Sequence, residues 1–134
     1  MSETRLERTT SVGPVIDPSG LEKIPSLVDD ALSSGAMLVT EGKRLEAAEY
    51  SRGSFASTVF DDVSQDMQIA QKEIFGPVAP IIRAEDDSDA VAKTNSTVYG
   101  LQASIFTSDM ARGLKLARKV KAGAVLINDR TNVR

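Results

Sequence analysis

Cysteine and histidine are both missing from the 134-residue chain, and aromatic residues make up only 4% of it. Without cysteine there is no disulfide, no thiolate nucleophile and no sulfur-ligated metal. Without histidine the commonest general base and the commonest metal ligand are gone as well. A core has to be assembled from Val, Leu, Ile, Ala and Met, and the length suits one modest domain. Charge is nearly balanced, with 16 basic and 19 acidic residues and a net charge of −3. No clustered basic face therefore argues for nucleic acid. The nearest candidate, Arg112, Lys115, Arg118, Lys119 and Lys121, reads as the solvent side and last turn of one helix, where cations suit the macrodipole. No apolar run approaches the ~20 residues needed to cross a bilayer. Residues 1–11 are polar and charged, without a signal-peptide apolar segment. The expectation is a cytoplasmic protein.

Glycine is present but scattered. The nine glycines never fall into Gly-x-Gly-x-x-Gly or Gly-x-x-x-x-Gly-Lys, so the chain carries no phosphate cradle of its own. The acidic groups Asp29-Asp30, Asp61-Asp62 and Glu85-Asp86-Asp87 lack the ligand spacing of a calcium loop and read as caps and turns. A serine nucleophile would have to work with lysine alone, and nothing singles out such a pair. No catalytic residue and no metal ligand set emerges.

What is present is an ordered α/β pattern. Residues 1–12 look like a flexible tail, in which only Leu6 and Val12 are strongly apolar. Asp17-Pro18-Ser19-Gly20 is turn and cap chemistry. Leu21, Ile24, Val28, Ala31 and Leu32 mark one helical face, with Pro25 expected to kink the helix or delay its start and Gly35 to stop it. Ala36 to Thr40 predicts a strand, Glu41-Gly42-Lys43 a turn, and 43–53 a surface excursion. Phe55 to Phe60 predicts a short strand and Met67 to Ile74 a short helix. Ala79 to Arg83 predicts a buried strand. Asp86 to Asp89 caps a helix running to about Asn95. Leu101 to Thr107 predicts a strand with Leu101, Ala103 and Ile105 on one face. Ser108-Asp109 caps a helix whose stripe is Met110, Leu114, Ala117 and Val120. Ala124 to Ile127 closes the series as an edge strand, or as one completed by a partner. Strand, helix, strand, helix, strand with short connections is the pattern of right-handed parallel crossovers.

One run stands apart: Gln71-Lys72-Glu73-Ile74-Phe75-Gly76-Pro77-Val78. Local reasoning alone makes it a packed turn, with Phe75 in the core and Glu73 solvated. It resembles, however, the Glu-Ile-Phe-Gly-Pro-Val signature of NAD(P)-dependent aldehyde dehydrogenases. Further segments resemble that family in the same order. Val12-Gly13-Pro14-Val15-Ile16 is similar to Gly-Pro-Leu-Ile, and Glu41-Gly42-Lys43-Arg44 to Gly-Gly-Lys-Arg. Thr58-Val59-Phe60 with Val63 is similar to Pro-Thr-Val-Leu-x-x-Val. Tyr99-Gly100-Leu101-Gln102-Ala103-Ser104-Ile105-Phe106-Thr107 is similar to Tyr-Gly-Leu-x-Ala-x-Val-Phe-Thr. Ala122-Gly123-Ala124-Val125-Leu126-Ile127-Asn128 is similar to Ala-Gly-x-Val-x-x-Asn.

The resemblance implies an α/β fragment of the aldehyde dehydrogenase catalytic domain over residues 13–134, a parallel sheet with flanking helices. It implies that Glu73 accepts hydrogen bonds from the hydroxyls of the nicotinamide ribose of NAD or NADP, and that Phe75 packs beside the nicotinamide. The family oxidises aldehydes to carboxylic acids: a cysteine thiolate adds to the carbonyl, hydride passes to the cofactor, and a Glu-activated water releases the acyl group. The nucleophile and the main cofactor fold lie upstream of the matched region, so the chain alone is expected to be inactive and to bind no cofactor tightly. Lys72 departs from the usual acidic residue, Glu41 from a glycine, and Ser33 from a glutamine near the cofactor. Asp129-Arg130-Thr131-Asn132 stands where a substrate-lining loop begins. The alternatives are a noncatalytic binding or assembly module and a subunit completing a partner that carries the other half. Self-association is expected either way, because strand 124–127 offers an unpaired edge and the family uses strands from this region in dimer contacts.

Overall fold

In a computed structural model the described residues are 18–40, 44–45 and 54–131. The expected tail, the Glu41-Gly42-Lys43 turn, most of the 43–53 excursion and Asn132 lie outside them. The chain divides into two compact units, one ending at Ile82 and one beginning at Arg83.

The first unit opens with helix α1, Pro18–Ser33. Leu21, Ile24, Val28 and Ala31 recur at helical spacing and are all buried. Leu32, expected on the same face, is exposed. Pro25 does not delay the start: the helix begins before it and runs through it. One backbone donor is lost there, and the next residue, Ser26, turns its hydroxyl back to donate to the Lys23 carbonyl at 2.8 Å. Gly35 stops the helix as expected. At φ +95° it takes the left-handed conformation, its N–H donates to Leu32 and the Ala36 N–H donates to Ala31 at 3.0 Å. Those two bonds make a Schellman motif, and the buried pair Ala31 and Ala36 supplies its apolar contact.

Strand β1, Met37–Thr40, follows. A two-residue ribbon, β2 (Arg44–Leu45) against β3 (Ser54–Phe55), is antiparallel. Strand β4, Thr58–Asp61, is central: β1 pairs with it antiparallel and β5, Val78–Pro80, pairs with it parallel. Its alternate residues Thr58 and Phe60 are fully buried, as the two-residue period of a strand requires. Between β4 and β5 lies a one-turn helix α2, Gln68–Gln71, which buries Ile69. Leu21, Ile24, Val28, Ala31, Ala36, Phe55, Phe60, Val63 and Ile69 form one core, with Ile74, Val78 and Ile82 packed against it.

One expectation for β5 changes. Among the described residues it is an edge strand rather than a buried one, with Ala79, and Ile81 just beyond it, exposed. Its hydrogen-bonding partner is β4. Pro80 is compatible with that place, since proline within a sheet is confined to edges.

The second unit begins with α3, Asp87–Thr94. Asp86 caps it by accepting from the N–H groups of Ser88 at 2.7 Å and Asp89 at 2.8 Å. Strand β6, Gln102–Ile105, is followed by α4, Met110–Ala117, and β7, Ala124–Ile127. Asp109 caps α4 through the Arg112 N–H at 3.0 Å. Strands β6 and β7 run parallel with Ala103 opposite Val125 and Ile105 opposite Ile127. The unit β6–α4–β7 is thus a parallel crossover, and β7 has β6 as its single strand neighbour among the described residues.

The face that α4 turns inward matches the expected one only at its C-terminal end. Met110 and Leu114 are exposed, while Gly113 is buried and Leu116, Ala117 and Val120 are half-buried. Leu101, expected in β6, precedes it and is 83% exposed. Gly113 explains the choice. A Cβ there would lie 3.1 Å from Thr107 Cγ2 and 3.2 Å from Ile127 Cγ2, so helix and strand approach closely at this point. Asp87 meets Arg112 through two guanidinium nitrogens, Nε at 3.0 Å from Oδ2 and Nη2 at 2.5 Å from Oδ1. This hydrogen bonding holds the Asp87 carboxyl below its ordinary value and raises that of Arg112.

Replacing Gly113 by leucine should lower stability by about 1–3 kcal/mol through overpacking. Urea unfolding midpoints of the two proteins measure it, and an unchanged midpoint would contradict the close approach.

Candidate functional site

The segment 72–77 links α2 to β5, and its conformation follows from four local constraints. Lys72 leaves the helix with φ −113° and ψ 142°, although its N–H still donates to the Gln68 carbonyl. Its ammonium group reaches Gln68 Oε1 at 2.5 Å. At the far end Pro77 biases the residue before it toward extended backbone, and its carbonyl accepts the Thr58 N–H at 2.8 Å, joining the loop to β4. Between these ends the side chains alternate. Glu73 and Phe75 are exposed, whereas Ile74 is half-buried against the core.

Gly76 is the third constraint. A Cβ at this position would lie 2.5 Å from Ile24 Cδ1 and 3.2 Å from Ile24 Cγ1, so a side chain there must displace a core residue of α1. The fourth is Phe75 itself. It sits at φ +50°, a left-handed conformation that costs an ordinary residue about 1–2 kcal/mol. For a bulky side chain this is an outlier. Phe75 is also 73% exposed, so burial does not offset that strain. The local expectation of a core phenylalanine is therefore wrong: the backbone turns the ring outward. Asp62 and Asn128, also at positive φ, are residue types that accept this region readily.

The structure brings the two sequence-identified site residues, Glu73 and Phe75, onto one exposed loop. Ser33 is exposed in the last turn of α1, and its hydroxyl donates to the Asp29 carbonyl at 2.8 Å. Asp129 follows β7; its carboxylate accepts the Arg130 N–H at 2.8 Å and its carbonyl accepts the Ser104 hydroxyl at 2.8 Å. Of the acidic groups, Asp86 caps α3 at its N-terminus, Asp61 accepts the Asp62 N–H at 2.8 Å, and Asp30 lies within α1, where it accepts Gln68 Nε2 at 3.0 Å. Among the described residues no group of three or more acidic residues could hold a metal ion.

The positional roles of two residues escaped the sequence. Ile24 sits beneath Gly76, a contact between segments far apart in the chain with no local signal. Asn128 clamps the end of β6: its Oδ1 accepts the Thr107 N–H at 2.8 Å and its Nδ2 donates to the Thr107 carbonyl at 2.9 Å. A lone Asn after an apolar strand, at a position needing positive φ, was the available hint.

Comparison with known proteins agrees with this architecture. The profile of the Aldehyde dehydrogenase family matches residues 2–134. An aldehyde dehydrogenase of Monascus ruber is 38% identical over 125 residues, covering 92% of this chain and 25% of that protein. The crystal structure of an NAD-dependent aldehyde dehydrogenase from Sinorhizobium meliloti superposes with a TM-score of 0.88 at 35% identity, covering 96% of this chain and 25% of that one. Betaine aldehyde dehydrogenase of Staphylococcus aureus, solved in complex with NAD+, gives a TM-score of 0.87 at 34% identity over 95% of this chain and 25% of that one. The chain belongs to the aldehyde dehydrogenase family, has its α/β fold, and spans about a quarter of the length of these relatives.

Phe75→Asn should stabilise the chain by about 1 kcal/mol, because asparagine tolerates the left-handed region and little packing is lost. Thermal denaturation checks this; a lower melting temperature would mean that the ring contributes more contact than strain.

Proposed function

We propose that this chain is part of an NAD(P)-dependent aldehyde dehydrogenase, which oxidises an aldehyde to a carboxylic acid, and that residues 13–134 form a portion of its catalytic domain. Its contribution is a cofactor-facing rim rather than the reacting groups. The observation that carries this is the outward, strained Phe75 on the same exposed loop as Glu73. Backbone strain persists where surrounding structure enforces it, and such places cluster at functional sites.

The residues fit the nicotinamide end of a dinucleotide. A carboxylate offers two acceptor oxygens, and a ribose diol offers two donors. An exposed aromatic face suits a flat ring and keeps water from it. The fit ends there, because no glycine-rich turn supplies a site for the pyrophosphate. The chemistry supplied by a bound nicotinamide is hydride acceptance. Glu73 orients the ribose and Phe75 shields the ring; neither makes or breaks a bond. With no cysteine in its sequence, the chain alone lacks the family's thiolate path and should not turn over substrate.

Purified chain should neither reduce NAD+ in the presence of propanal nor show a melting shift at millimolar NAD+, since two contacts do not meet the cost of association. A clear shift would refute the limited rim. The positive test is a chimera in which this chain replaces the matching quarter of the Staphylococcus aureus enzyme. There Glu73→Ala should raise the KM for NAD+ about tenfold, the worth of a charged hydrogen bond. An unchanged KM would remove Glu73 from the cofactor.

A partner is part of the proposal. Val98 is 94% exposed, and Leu101, Phe106 and Met110 are exposed with it. Apolar surface of this kind marks interaction sites. It favours self-association of the isolated chain, or pairing with a polypeptide that carries the reactive half, over a free-standing binding module. A cytoplasmic location belongs to the same proposal; no described helix is long and apolar enough to cross a membrane. Sedimentation should show species heavier than the monomer as concentration rises; a single monomer boundary throughout would count against association.

A further inference from the structure

We propose that Ile24, a buried residue of α1, is the positioning residue of the cofactor-facing loop: its side-chain tip fixes the backbone at Gly76 and so compels Phe75 to face outward. The coupling rests on the proposed cofactor role only for its functional meaning; the mechanical link stands on geometry.

Ile24 is 0% exposed and belongs to the core. Its Cδ1 and Cγ1 occupy the space where a Cβ of residue 76 would be, at 2.5 and 3.2 Å. The backbone at 76 therefore rests against α1 and cannot move inward without breaking close packing. On the other side the chain is fixed by Pro77, whose carbonyl accepts the Thr58 N–H at 2.8 Å, and by the Val78 N–H donating to the Gly76 carbonyl at 2.8 Å. Ile74, one residue before Phe75, is seated on the same core. Residues 74, 76 and 77 are thus held, and Phe75 is the one place left to absorb the turn. It does so at φ +50° with its ring in solvent. A bulky residue keeps such a conformation only when its surroundings over-determine it. The atoms that do so here include the end of a side chain buried in the core.

The chain has no tryptophan and two tyrosines, so Phe75→Trp installs one indole at the site that can be excited selectively. In that background the indole should be freely quenched by acrylamide. Adding Gly76→Ala should reduce the quenching constant about twofold and lower the melting temperature, as the new methyl pushes the loop off Ile24 and residue 75 relaxes toward the core. Adding Ile24→Val as well removes Cδ1 and should restore most of both. Ile69→Val, a comparable loss elsewhere in the same core, should restore neither. Equal rescue by both valines, no rescue by Ile24→Val, or no effect of Gly76→Ala would each overturn the proposal. If Gly76→Ala does not fold, Ile24→Val alone reads the same link. It should loosen residue 75 and lower the indole anisotropy, while Ile69→Val leaves it unchanged; identical anisotropies would overturn the proposal. A Glu73→Ala chimera with unaltered KM for NAD+ would sink the cofactor role but leave this coupling standing, so the two failures are separable.

Discussion

Everything in the first unit depends on excluding water between the apolar face of α1 and the central strand β4. Ile24 and Phe60 both lose all solvent contact there. Each such side chain contributes about 1.5–3 kcal/mol from burial, and the cluster draws on six separate stretches of chain, including α2 and the loop after β4. Because interiors are close-packed, a core of this kind does more than hold elements together. It transmits shape. The loop 72–77 has no regular hydrogen-bond ladder of its own, yet it is defined at each end and in the middle by what lies under it.

The second unit solves a different problem. A two-stranded parallel sheet is a weak element, and parallel pairing ordinarily needs cover on both faces. Here one helix lies against the pair at Gly113, and side-chain amides stand in for missing backbone partners. Asn95 gives its Nδ2 to the Lys119 carbonyl at 2.9 Å and accepts the Lys121 N–H at 2.7 Å, tying α3 to the segment beyond α4. Asn128 does the same for Thr107. Such amides are directional where apolar contact is not, so they fix register in a unit with little buried surface.

Much of this was readable in the amino-acid order because it is local chemistry. Asp86 and Asp109 cap the helices they precede, Gly35 ends α1, and the apolar spacing of Leu21, Ile24, Val28 and Ala31 marks its buried face. Resemblance to a family picked out Glu73 and Phe75. What periodicity cannot say is which apolar residues will find a cover. Met110 and Leu114 lie at helical spacing with Ala117 and Val120, but the close approach at Gly113 rotates the helix so that they face solvent. Nor can it say which strand pairs with which. The run at 79–83 is apolar enough for a central strand, and only the hydrogen bonding to β4 places it at an edge. Phe75 is the sharpest case, since hydrophobicity argues for the core and a backbone constraint from a distant helix decides otherwise.

Pro80 has a consequence of its own. In parallel pairing successive N–H groups point to opposite sides, and Ile81 gives its N–H to Phe60 of β4 at 2.8 Å. The nitrogen of Pro80 therefore faces the outer rim of β5, where it has no hydrogen to give. Another polypeptide laid along that rim would meet an interrupted ladder, one rung short at the end of the strand. The imino acid thus acts as a brake on indiscriminate strand stacking, leaving this side of the sheet an unfavourable template for fibril growth.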